Sequence, residues 1–175
     1  LTLYTLTRET FRGSSLKNGP PAIFSVLYTG GCLGYIAALR NEIGAGAVFL
    51  LLITIWCTDT TAYFYGTYRG KRLLCPQISP KKTWEGAGAA TLVAAGLAFL
   101  SGPMLVGIGP GQALSFGFVI SITGQMGDLV ESSLKRQAGV KDTGRLLPGH
   151  GGLLDRFDSL LFAAPMAYYL LHIWM

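Results

Sequence analysis

A stretch without any charged residue runs from position 86 to 127. A helix needs about 20 mostly apolar residues to cross a bilayer, so this stretch is too long for one crossing and long enough for two. The Gly-Ile-Gly-Pro-Gly segment at 107–111 divides it, because glycine and proline interrupt helices. The sequence therefore predicts one helix near 86–106 and another from about 112, continuing to Gln137.

Three further segments have the length and composition of membrane crossings, at 22–39, 43–66 and 154–175. Only 13% of the residues are charged, whereas roughly 25% is usual in soluble domains. The three cysteines are scattered and odd in number, which argues against a disulfide framework or a zinc site. We therefore predict an all-α fold, a polytopic transmembrane helix bundle with about five crossings that forms a single integral membrane domain over 1–175.

The basic residues are distributed unevenly along the chain. Five crossings place 1–21, 67–85 and 128–156 on one side, and these segments hold 13 of the 14 Lys and Arg residues, Arg40 being the exception. The positive-inside rule predicts that this side is the cytoplasm, including the N-terminal segment 1–21. The net charge of +5 then indicates anionic lipid and phosphate as partners rather than nucleic acid. Because the chain begins at Leu1 and lacks an initiating Met, we interpret it as a fragment, the C-terminal part of a longer polytopic protein, and we recognise no signal peptide in it.

Four polar residues recur with helical spacing just after the charge-free stretch. Asp128, Glu131, Ser132 and Lys135 stand at i, i+3, i+4 and i+7, so they share one face of a helix. We expect this face to take part in a functional site.

Two more carboxylates, Asp155 and Asp158, lie one turn apart at the start of the last predicted helix. Together with Asp128 they put acids at two helix ends joined by a short loop, where they can converge on one divalent cation. Mg²⁺ suits such a site because it takes hard oxygen ligands and keeps positions for water and phosphate. The alternative is a solvated surface on which these acids pair with Lys135, Arg136 and Arg156.

A glycine-rich turn separates the two acidic groups and contains Gly149, His150, Gly151 and Gly152. Glycines leave backbone N–H groups uncovered, and such groups bind anions at a helix N-terminus. His150 could be a general acid or base, a phosphate ligand or a brace for the loop. Without the flanking charged residues, the segment would indicate a turn and nothing more.

A second basic group precedes the third predicted crossing. Ser79 and Pro80 are typical of an N-cap and first helical position, so we predict that the helix starts there. Lys81 and Lys82 would then oppose the helix dipole, an arrangement that suits a site for an external anion. The alternative is that the lysines reach to the membrane surface, with Trp84 as an interfacial anchor.

Asp59 is the one acid within the second predicted crossing. An ionisable residue at membrane depth is costly and indicates a functional site. It could bind metal, hold a substrate, or pair with a lysine of the basic groups.

These motifs together resemble one enzyme family. The segments at 132–136, 141–142 and 148–158, and less specifically those around Asp59 and at 79–86, are similar to the phosphatidate cytidylyltransferase, or CDP-diacylglycerol synthase, family over roughly 50–175. Thr61 stands where glycine would be expected. The resemblance implies the reaction of CTP with phosphatidate to give CDP-diacylglycerol and pyrophosphate, in phospholipid biosynthesis. It also implies Mg²⁺, with room for a second cation, and a bacterial inner membrane with the active site facing the cytoplasm.

The resemblance also implies roles for individual residues. Catalytic roles fall to Asp128, Asp155, Lys135 and Arg136. Metal ligands would be Asp128, Asp155 and Asp158. Substrate binding would involve Asp59, Ser79, Lys81, Lys82, Ser132, Lys141, Asp142, Gly149, His150, Gly151, Gly152 and Arg156. A CTP-dependent lipid kinase and a membrane transporter are the alternative functions, and the choice between a single copy and a homodimer stays open.

Overall fold

The computed structural model describes residues 27–137, 139 and 154–175. Within these residues the fold is mostly helical, as predicted. The predicted cytoplasmic segment 1–21 lies outside the described residues. So do several predicted site residues: Lys141, Asp142, Gly149, His150, Gly151, Gly152 and the side chain of Arg156.

The described residues form five α-helices and one β-hairpin. In chain order they are α1 (Cys32–Ala38), α2 (Ala45–Arg69), β1 (Leu73–Cys75), β2 (Ser79–Thr83), α3 (Trp84–Leu105), α4 (Pro110–Gln137) and α5 (Leu154–Trp174). Single π-helical turns, Leu27–Gly31 and Leu39–Ile43, flank α1. Gly44 separates the second π turn from α2 with a φ of 123°, a conformation that favours glycine.

Three of the described helices are long and apolar enough to cross a membrane: α2, α3 and α4. The predicted boundaries of these helices agree with the structure to within a few residues. Helix α5 is 21 residues long but carries three charged residues near its start and is not one of the three. The predicted crossing at 22–39 begins outside the described residues. The count of five crossings is therefore not confirmed.

The bundle has a continuous apolar core between α2, α4 and α5. Leu50, Phe116 and Ile120 are fully buried there, and Ala163 of α5 packs with them. Helices α3 and α4 approach closely, since a β-carbon at Gly117 would lie 2.6 Å from the carbonyl oxygen of Ala94. Small residues allow such contact between membrane helices. This packing brings one end of α2, α4 and α5 together with the hairpin.

The hairpin corrects two predictions, the purely α-helical fold and the helix start at Ser79 and Pro80. Ser79 pairs with Cys75 across an antiparallel ladder, and α3 begins only at Trp84. Thr83 is the N-cap, its Oγ1 accepting a hydrogen bond from the Gly86 N–H at 3.2 Å. Proline is tolerated in a two-stranded sheet because both strands are edges.

The same correction changes the interpretation of the lysine pair. Lys81 and Lys82 lie on β2, before the helix, so they do not oppose its dipole in the first turn. Successive side chains on a strand point to opposite faces. Accordingly Lys81 is exposed, whereas Lys82 is half-buried.

Candidate active site

The predicted basic and acidic groups meet at one end of the bundle. Lys82 Nζ lies 2.5 Å from Oδ2 of Asp128, so the hairpin is tied to α4. Ser132 Oγ donates a hydrogen bond to the other carboxylate oxygen, Asp128 Oδ1, at 3.2 Å. The structure thus brings together three residues that the sequence placed in two separate motifs.

A second ion-pair group joins α4 to the first turn of α5. Lys135 Nζ lies 2.6 Å from Glu131 Oε2 and 2.8 Å from Asp155 Oδ1. The side chain of Glu131 is only 1% exposed, and a carboxylate buried to this extent needs a close cation. Lys135 therefore offsets the charge of two neighbouring carboxylates, one on each helix.

The predicted helical face on α4 is confirmed by these contacts, because Asp128 reaches Ser132 and Glu131 reaches Lys135 one turn on. One detail was wrong. Asp128 lies inside α4, which continues to Gln137, and so it does not end a helix. Asp155 does lie in the first turn of α5, as predicted.

Asp158 and Asp59 complete the acidic group. Asp158 Oδ1 accepts a hydrogen bond from the Ser159 N–H at 2.6 Å, and its carboxyl group lies beside that of Glu131. Asp59 of α2 is exposed and lies within electrostatic reach of Asp128, Asp158 and Lys82. Three helices therefore supply five carboxyl groups to one region, which we call the acidic cluster: Asp59, Asp128, Glu131, Asp155 and Asp158.

The charge of the acidic cluster bears on metal binding. Lys82 and Lys135 are the lysines paired with it in the described part of the chain. No three His, Cys, Asp or Glu side chains among the described residues are arranged to hold a metal ion by themselves. Mg²⁺ commonly takes only one or two carboxylates and fills its remaining positions with water and substrate phosphate. The donor chemistry therefore fits Mg²⁺, and the ligands Asp128, Asp155 and Asp158 stay a prediction.

The other predicted site residues lie around this cluster. Lys81 and Arg136 are exposed. Each is the chain neighbour of a lysine that makes an ion pair: Lys81 precedes Lys82, and Arg136 follows Lys135. Ser79 is half-buried and pairs with Cys75 in the hairpin. The structure thus leaves Lys81 and Arg136 accessible to a ligand and gives Ser79 a place in the sheet.

Two acids contribute to the site beyond the predicted set. The sequence predicted Glu131 on the shared face of α4 but did not indicate a role for it. Its helical spacing from Asp128 and Lys135 was the feature that could have assigned it to the site. Glu85 Oε2 accepts hydrogen bonds from the N–H groups of Lys71 and Arg72, each at 3.1 Å. It thereby fastens the entry of the hairpin that carries Lys82 to the first turn of α3.

The amino-acid sequence of the chain is similar to those of known proteins. Residues 2–174 match the Cytidylyltransferase family. The phosphatidate cytidylyltransferase of Bacillus subtilis (strain 168) is 45% identical over 152 residues, which cover 84% of this chain and 56% of that protein. The phosphatidate cytidylyltransferase of Brucella abortus biovar 1 (strain 9-941) is 44% identical over 147 residues, covering 82% and 54%. The uncharacterized protein YnbB of Escherichia coli (strain K12) is 47% identical over 128 residues, covering 72% and 42%. The chain spans about half the length of these relatives.

Proposed function

The chain belongs to the cytidylyltransferase family, and from this premise we propose that the protein containing it is a phosphatidate cytidylyltransferase. CTP and phosphatidate would give CDP-diacylglycerol and pyrophosphate. Relatives that carry this name match most of the chain. The observation that carries the proposal is the Lys82–Asp128 ion pair, which joins the hairpin to the acidic cluster at the end of three apolar helices.

The proposed reaction joins two anions and needs no protein nucleophile. An oxygen of the lipid phosphate attacks the α-phosphorus of CTP, the new P–O bond forms, and the bond to the β-phosphate breaks as pyrophosphate leaves. The main obstacle is repulsion between the lipid phosphate and the triphosphate, so positioning and charge neutralisation are what the protein must supply. Lys82 and Lys135, which contact the acidic cluster, and the exposed Arg136 are the described cations suited to this role.

When bound, Mg²⁺ would offset the negative charge of the substrate phosphates. Asp128, Asp155 and Asp158 would hold it, with Asp59 nearby, and the five carboxyl groups of the acidic cluster would suit a second cation. Lys82, which pairs with Asp128 here, would contact substrate phosphate. Lys135 would keep Glu131 and Asp155 in place.

In the proposed orientation, headgroups of the cytoplasmic leaflet would lie near the site. Arg69, Lys71 and Arg72 precede the hairpin at the same end of the bundle, whereas Arg40 lies beyond α1 toward the opposite end. This distribution supports a cytoplasmic active site in the inner membrane of a bacterium. Exposed apolar residues such as Leu92 and Met104 on α3 suit contact with membrane lipid rather than nucleic acid. A homodimer stays a prediction.

The decisive test is a label assay on the full-length enzyme in detergent. With CTP labelled at the α-phosphate, label should enter chloroform-soluble lipid only when both phosphatidate and Mg²⁺ are present. With γ-labelled CTP, label should leave as pyrophosphate. Label that enters lipid from the γ position would instead identify a CTP-dependent lipid kinase, and no consumption of CTP would favour a transporter.

A further inference from the structure

A small polar network lies between α3 and α4, about one turn from Asp128. Thr91 of α3 is 8% exposed and Ser121 of α4 is fully buried. Gln125 Nε2 donates to Thr91 Oγ1 and to Ser121 Oγ, both at 3.2 Å. Ser121 Oγ donates to Thr91 Oγ1 at 3.3 Å, and Thr91 Oγ1 donates to the Ala87 carbonyl at 3.0 Å. Each of these donors has an acceptor, so the three side chains form one consistent link between the helices.

The rest of the α3–α4 contact is made by small residues. Gly117 lies against Ala94 and Ala95, and Gly102 lies against Ala113. Small side chains let helices approach closely. The hydrogen bonds from Gln125 add directional contacts to this packing, and directional contacts resist sliding of one helix along the other.

The alignment of these two helices decides the geometry of the active site. Lys82 stands two residues before α3, and Asp128 stands three residues after Gln125 on α4. A helix rises about 1.5 Å per residue, so a shift by a single residue would move the backbones that carry Lys82 and Asp128 by a distance comparable with the 2.5 Å between the paired atoms.

We propose that Gln125, Thr91 and Ser121 are positioning residues that fix the alignment of α3 on α4 and so hold Lys82 against Asp128. They act through this pair and do not themselves contact substrate. The inference concerns the proposed active site, but the alignment can be measured without turnover.

The experiment uses the full-length enzyme in detergent and a water-soluble carbodiimide, which converts a close lysine and carboxylate into an amide. Mass spectrometry then gives the yield of the Lys82–Asp128 link, with the Lys135–Asp155 link as an internal control between α4 and α5.

Thr91→Val keeps the side-chain shape but removes the hydroxyl. Thr91→Ser keeps the hydroxyl but removes a methyl group. Thr123→Val is the matched control on α4, because the bonds of the Thr123 hydroxyl within the described part of the chain go to carbonyls of its own helix.

We expect Thr91→Val and Gln125→Met to lower the Lys82–Asp128 yield and kcat by about threefold to twentyfold, the range of effects known for hydrogen bonds between membrane helices. Thr91→Ser and Thr123→Val should keep the Lys82–Asp128 yield and kcat near the wild-type values. The Lys135–Asp155 yield should not change in any of these variants. If Thr91→Val does not fold, Ser121→Ala removes one donor with little change in volume and carries the same expectation.

The proposal is overturned if the Lys82–Asp128 yield is unchanged in Thr91→Val and Gln125→Met, or if Thr91→Ser loses as much as Thr91→Val. The second result would indicate packing rather than hydrogen bonding. If wild-type enzyme shows no turnover of CTP, the proposed function fails, but the cross-link yields still decide whether the network sets the alignment.

Discussion

Lys82 and Asp128 form an ion pair of 2.5 Å between a β-hairpin and a membrane helix, although they are far apart in sequence. Neither side chain is deeply buried, with 25% of Lys82 and 30% of Asp128 exposed. A pair with this exposure is not a major source of stability. Its position at the edge of the acidic cluster is better explained by a role in binding charged substrate.

The two neighbouring lysines should therefore differ in function. Lys82→Gln removes the cation that faces Asp128, and we expect kcat/KM to fall by about tenfold or more, as for loss of a hydrogen bond to a charged group. Lys81→Gln changes a residue on the outer face of the strand and should alter kcat/KM by less than about threefold. Steady-state kinetics with varied CTP and phosphatidate measures both. Equal losses in the two variants would contradict the strand-based assignment.

The metal assignment predicts large effects at two carboxylates. Asp128→Asn and Asp155→Asn keep the side-chain shape but remove the charge, so turnover should fall by at least about a hundredfold. Initial rates over a range of Mg²⁺ concentrations provide the measurement, with membrane insertion checked in parallel. Glu42→Gln is the matched control, because Glu42 accepts a hydrogen bond from Tyr168 at the opposite end of the bundle. Near-normal rates in both Asp variants at limiting Mg²⁺ would refute the assignment.

Burial of Glu131 predicts a stability effect that is separate from catalysis. Lys135→Met leaves Glu131, which is 1% exposed, without its cation, and breaking a buried pair in this way costs about 3 to 5 kcal/mol. The unfolding temperature of the protein in detergent should drop by several degrees. Adding Glu131→Gln should restore part of the loss, because the unpaired charge is removed.

Lys71→Met is the matched control for that experiment, since the Lys71 side chain is exposed. Its effect on the free energy of unfolding should stay within about 0.5 kcal/mol. A Lys135→Met variant as stable as this control would show that the Glu131 carboxylate is stabilised without Lys135.

The membrane orientation can be tested at two positions. Cys75 lies on β1 at the active-site end, and Asn41 lies in the π turn between α1 and α2. In intact cells a membrane-impermeant maleimide should label Asn41→Cys, whereas Cys75 should react only after permeabilisation, with the other cysteines replaced. Labelling of Cys75 from outside would reverse the proposed orientation.

The sequence predicted the apolar helices well because their ends are local features. The charge-free stretch and its Gly-Pro interruption at 107–111 place α3 and α4 to within a few residues. The face shared by Asp128 and Lys135 was predictable for the same reason, since helical periodicity is a property of neighbouring residues.

The hairpin and the depth of Glu131 depend on contacts between distant segments. Ser79 and Pro80 have the local character of a helix start, but pairing with Leu73–Cys75 makes them a strand. Glu131 is buried because α5 packs over that part of α4 and brings Asp155 to Lys135. Such packing leaves no periodic pattern in the sequence, so neither the hairpin nor the central place of Glu131 was predicted.

The contact between α4 and α5 leads to a final prediction at Gly127. A β-carbon there would lie 2.6 Å from Cβ of Phe162 and 2.8 Å from the carbonyl oxygen of Asp158. Since one of these atoms belongs to the backbone, Gly127→Ala must push α5 away and strain the bridge from Lys135 to Asp155. We expect a loss of about 1 to 3 kcal/mol in stability, as for overpacked cores, together with reduced turnover.

Gly88→Ala is the matched control, because the new methyl group meets no atom within 4 Å. Alanine favours helix over glycine by about 1 kcal/mol, so the stability of this control should be unchanged or slightly higher. Thermal unfolding and the CTP assay on both variants check the prediction, and a Gly127→Ala protein as stable and active as the control would show that α4 and α5 are not held at this distance.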